Sequence, residues 1–168
     1  RARRETLTEQ EQGLEFAGQL TVLEQSLTNL LARCDTPEAV DEALARTLGQ
    51  IEQLEGRFGA QSAFLVELTT RREAALEAFA ARREQIAAQR EKRSAGLREA
   101  VARVLDGIPR RVAKLTQAEE LHAFFAGDTL IERAQSQIAE LRALGAAVLA
   151  DELAGKLRSL KEAGLRDL

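Results

Sequence analysis

The sequence predicts an all-α protein, an elongated antiparallel coiled coil in which two small helical bundles share one long continuous helix. Three observations carry that prediction. The usual material of sheets is scarce, with 4% aromatic residues, no Trp and no Tyr, while Ala, Leu, Glu, Gln and Arg abound. From Gln61 to Asp106 there is no proline, and Gly96 alone is a weak helix former. Before and after that stretch, leucines recur at helical spacing. A helix over this stretch would be about 70 Å long. It is too long for one small core, so flanking segments must pack on its two halves.

The first helix carries a heptad seam at Phe16, Leu20, Leu23, Leu27, Leu30 and Cys34, and so needs a partner helix. Asp35, Thr36 and Pro37 supply a capping side chain and a proline at the first position of the next helix. So short a link forces an antiparallel hairpin. The second helix continues the pattern through Val40, Leu44, Thr47, Ile51, Leu54 and Phe58, and Gly56 and Gly59 bracket the turn into the long helix.

On the long helix, one position per turn gives Phe64, Leu68, Arg72, Ala75, Phe79, Arg82, Ile86, Arg90, Arg93, Leu97, Ala100 and Val104. This spacing is nearer an eleven-residue repeat than a heptad and predicts a nearly straight helix. Between Arg82 and Arg93 arginine replaces leucine, and Ile86 alone keeps the stripe apolar. The middle of the helix is therefore a weakly packed stalk or a docking face.

Asp106, Gly107 and Pro109 predict a break, because Ile108 before proline is biased away from helical geometry. Thr116 and Glu119 form a capping box for a short helix through Leu121, Phe124 and Phe125, which stops at Gly127. Asp128 caps the next helix, which buries Leu130 or Ile131, then Ala134, Ile138 and Leu141. That helix turns at Gly145 and returns with Leu149, Leu153, Leu157 and Leu160. The domain reading is residues 1–80, a helical hairpin on the first half of the long helix; 81–107, its basic distal half; and 108–168, a short helix and a helical hairpin.

Charge is uneven. From Glu5 to Glu67 there are twelve acids against three bases, a net of −9, and from Arg82 to Lys114 ten bases against four acids, a net of +6. Arg82, Arg83, Arg90, Lys92 and Arg93 form a candidate interaction strip. With 100° per residue, Arg93 lies roughly 20° and Arg90 roughly 80° from Arg82, on the packing face of the helix. Either an acidic helix lies over these arginines or they are an open docking strip. Internal pairing, with counter-charges from the acidic first 67 residues, is the favoured reading, because no aromatic stacking residues interleave with the bases as in a single-strand nucleic-acid site.

Catalytic constellations are absent from the sequence. The nearest approach to a phosphate-binding loop, Gly155-Lys156, is followed by Leu157 and has Ala150 where the first glycine belongs. His122 is the only histidine, and Cys34 the only cysteine, so no His/Cys metal set or Cys–His pair is predicted. The expectation is no catalytic residue, no metal and no cofactor. A helix-turn-helix around Gly127 is disfavoured, since Arg133 and Arg142 are balanced by Glu132 and Glu140. There is no 18-residue apolar run and no signal-peptide pattern, and a single cysteine suits a reducing cytoplasm. The chain begins at Arg1, contains no Met, and both ends read as helix without caps, which predicts a piece of a longer protein.

From Gly56 to the end, the runs RFGAQSAFLVELTTRREAALEAFAARREQ, VLDGIPRRVAKL, AEELHAFFAGDTLIERAQSQIAELRALG and ADELAGKLRSLKEAGLRDL resemble the coiled-coil middle region of large bacterial proteins of the DNA-repair ATPase kind. In that family a long helical region precedes a C-terminal AAA+-type ATPase module. The resemblance implies a bacterial, cytoplasmic parent ATPase, and carries no catalytic residue onto this chain. The leading expectation is a non-enzymatic arm that spaces, docks or oligomerises a larger ATP-driven machine. Its partners are then the rest of the parent chain or a second copy, with no membrane. The alternatives are a DNA-binding basic stalk built on Arg82, Arg83, Arg90, Lys92 and Arg93, and a spectrin-like spacer with no ATPase attached.

Overall fold

The structure, a computed structural model, describes the backbone of residues 2–168 and the side chains of residues 7–168. The helical reading of Arg1 lies outside the described residues. Among those described, the chain is all α, with six helices and no strand. These are α1 (Ala2–Arg33), α2 (Pro37–Phe58), α3 (Ser62–Val112), α4 (Ala118–Gly127), α5 (Thr129–Ala143) and α6 (Ala147–Arg166). The chain divides into two compact units, Arg1–Ala88 and Gln89–Leu168. The division falls inside α3, so the basic segment 81–107 is distributed over both units.

In the first unit, the link between α1 and α2 is built as its residues dictate. Thr36 sits in extended geometry and its hydroxyl accepts the Ala39 N–H at 3.0 Å, with Pro37 starting the helix where its missing N–H has no intrahelical partner. The hairpin is closed at its other end by aromatic contact. Phe16, Phe58 and Phe64, one from each helix, have ring centroids 4.2 to 5.9 Å apart. Phe16, Leu23 and Cys34 from the α1 side are buried with Val40, Ala43, Ile51, Leu54 and Phe58 of α2 and Leu68, Ala75, Phe79 and Ile86 of α3. Thr47 is fully buried too, and its hydroxyl donates to the Ala43 carbonyl at 2.9 Å, so its own donor is satisfied. At the turn into α3, Gly59 has an ordinary helical φ of −69°. It is needed for space, because a Cβ there would collide with the Glu55 carbonyl oxygen.

Salt bridges fix the register of these three helices. Arg57 pairs with Glu15, Arg71 with Glu24, and Arg72 with Glu55 at 2.6 Å. The hydrogen bond that Arg72 donates to the Glu55 carboxylate holds its guanidinium above the usual arginine range, against the opposing effect of its partial burial.

In the second unit, α4, α5 and α6 gather around the second half of α3. Leu97, Val101, Leu105 and Ile108 are buried with Leu121, Phe124 and Phe125 of α4, Ile131, Ile138 and Leu141 of α5, and Ala150, Leu153 and Leu157 of α6. Three expectations are corrected here. In this half of α3 the buried positions are Leu97, Val101, Leu105 and Ile108, whereas Ala100 and Val104 are half-buried. Three helices line a broader side of α3 than one partner would, and the larger aliphatic residues take the inner positions.

The break expected at Asp106–Pro109 does not occur, and α3 runs through Pro109 to Val112. A proline this close to a helix end removes one hydrogen bond to the previous turn. The backbone recovers at once, with the Ala113 N–H donating to the Pro109 carbonyl at 2.9 Å, while Ile108 is completely buried and holds the helix against the pre-proline bias. Finally, the N-cap of α4 is Gln117 without a side-chain bond. In place of the expected pairing of Thr116 with Glu119, the Thr116 N–H donates to the Glu120 carboxylate at 3.3 Å.

The remaining turns follow the sequence. The Asp128 carboxylate accepts the Leu130 N–H at 2.9 Å and starts α5. Gly145, at φ 87°, supplies the left-handed residue between α5 and α6. Gly164 of α6 lies so close to its neighbours that a Cβ would come within 3.0 Å of Leu121 and of Val112.

Candidate functional site

Each half of the basic strip is described within its own unit. Arg82 follows Phe79 on the packing face of α3, at the level where α1 ends. Its Nη2 and Nε donate to the Cys34 carbonyl at 2.7 and 3.2 Å, and its Nη1 to Gln85 Oε1 at 3.3 Å. The last carbonyls of a helix have no intrahelical donors and lie at the negative end of its dipole, so a forked cation satisfies both needs. Arg83, one residue on, reaches α2 instead. Its Nε and Nη2 donate to the two carboxylate oxygens of Asp41, each at 3.3 Å. These two arginines share no target, since one binds a backbone oxygen and the other a carboxylate.

In the second unit, Arg93 Nε and Nη2 each lie 2.8 Å from Glu140 Oε1 of α5. Arg90 is half-buried and Lys92 exposed, and among the described residues neither makes an ion pair or hydrogen bond. Between Ile86 and Leu97 no side chain is buried. The counter-charges were expected from the acidic first 67 residues. Only Asp41 comes from there; Arg82 takes a carbonyl, and Glu140 belongs to α5.

Sequence reasoning missed other arginines of α3 that do comparable work. Arg71 and Arg72 bind the two hairpin helices of the first unit. In the second, Arg111 lies 3.1 Å from Asp128, the cap of α5, with its guanidinium carbon 5.6 Å from the Phe124 ring centroid. The available signal was position. An arginine next to a seam residue, level with a helix end or an acid of the neighbouring helix, has a partner within reach.

Among the described residues, no group of three or more His, Cys, Asp or Glu could hold a metal. Cys34 is buried, with its thiol donating to the Leu30 carbonyl at 3.1 Å. His122 is exposed on α4. An open groove of about 900 Å³ runs between the end of α3 and α6, floored by Leu105, Pro109 and Leu160 and edged by Lys156, Arg158 and Arg166. Asp106 and Glu162 line it as well, so its charge is mixed. No described helix is long and apolar enough to cross a membrane. Comparison with known proteins returns no family model, no curated protein and no solved structure that matches this chain.

Proposed function

We propose that this chain is a non-catalytic helical arm that spaces and docks parts of a larger bacterial, cytoplasmic ATPase of the DNA-repair kind. The observation that supports the arm reading is the use made of the arginines of α3. Arg71, Arg72, Arg82 and Arg83 each tie α3 to α1, to α2 or to the turn between them, and Arg93 and Arg111 tie it to α5 and its cap. Arginines already engaged within their own unit are not free to capture a ligand, which suits an arm better than a binding strip. The ATPase rests on the resemblance from Gly56 onward. Its test is a polypeptide that carries this segment together with a Walker A motif. Deleting the arm should leave basal ATP hydrolysis in place and remove its response to the partner that the arm docks. A parent chain without a nucleotide-binding motif overturns the ATPase reading and favours a spectrin-like spacer.

A DNA-binding stalk is the second reading, and Arg90 and Lys92, both without a protein partner, favour it. Phosphate contacts would make affinity fall steeply with added salt. Fluorescence anisotropy with double- and single-stranded DNA at low salt is expected to show no binding by the 168-residue chain. Tight binding at physiological salt, abolished by Arg90→Glu with Lys92→Glu, would replace the arm reading.

A further inference from the structure

We draw no further inference here: the strongest candidate, the open groove between the end of α3 and α6 floored by Leu105, Pro109 and Leu160, sets Arg158 and Arg166 beside Asp106 and Glu162, so its mixed charge selects no partner and nothing in the structure shows what covers it.

Discussion

In the first unit two long helices, α1 and α2, flank the opening half of α3, and acids on both of them meet Arg71, Arg72 and Arg83. In the second, three shorter helices pack against one side of the closing half, and the salt bridges to α3 come from Glu140 and from the cap residue Asp128. Apolar residues at regular spacing organise the first arrangement, with charge setting the register. The second depends more on its ends: Asp128 starting α5, Gly145 turning into α6, and Gly164 letting α6 approach α4. One helix can thus be held in two ways, by a repeated seam or by short helices whose caps and close contacts are individually specified.

The largest expected effects test whether each core is as tightly built as its burial indicates. Phe79 and Leu121 are completely buried in their respective units. Phe79→Ala should cost about 3 to 5 kcal/mol and Leu121→Ala about 2 to 5 kcal/mol, by deleting buried groups and leaving cavities. Urea denaturation monitored by circular dichroism checks both. A cost below about 1 kcal/mol at either site would show that its core relaxes around the loss, and would weaken the contrast between a repeated seam and a specified end.

The next effect separates two glycines within the second unit. Gly164→Ala places a methyl 3.0 Å from Leu121 and Val112 side-chain carbons, so α6 must shift or the neighbours rotate, at about 1 to 3 kcal/mol. Gly96 has nothing within 4 Å of its built Cβ, and Gly96→Ala should stabilise the helix by up to about 1 kcal/mol. Thermal melts of the two variants should move in opposite directions. If both rise, the approach of α6 is looser than the contact implies, and close packing is no longer what distinguishes this unit.

Much of this was legible in the sequence, and unequally between the units. The seam of α1 and α2 was readable because Phe16, Leu23, Val40, Ile51 and Phe58 repeat with a period that one partner direction imposes. The inner residues of α4, α5 and α6 were readable for the same reason, down to Leu121, Ile138 and Leu153. Pro109 misled because local propensity forbids what the buried Ile108 enforces, and a linear pattern does not show which residue a distant core will claim. The strip was legible as a face but not as a set of partners. Arg82 binds a backbone carbonyl, a target that no pattern of side-chain charge reveals.

That difference in partners orders the smallest effects. Removing Arg82 leaves the Cys34 carbonyl without its two charged donors at the end of α1, and hydrogen bonds to charged groups contribute more than neutral ones, so Arg82→Ala should cost about 1 to 2 kcal/mol. Arg93 meets Glu140 with both side chains substantially exposed, and water and salt screen the pair, so Arg93→Ala should cost about 0.2 to 1 kcal/mol. Arg90 makes no such contact, and Arg90→Ala should fall within about 0.5 kcal/mol of the unmodified chain. Chemical denaturation at low and high salt distinguishes the three. The Arg93 effect should shrink as salt rises, the Arg82 effect should persist because its acceptor is part of the backbone, and the Arg90 effect should stay near zero throughout. Equal losses at all three positions would mean that the arginines stabilise α3 through their aliphatic stems. The division of the strip into anchored and free cations would then carry no energetic meaning.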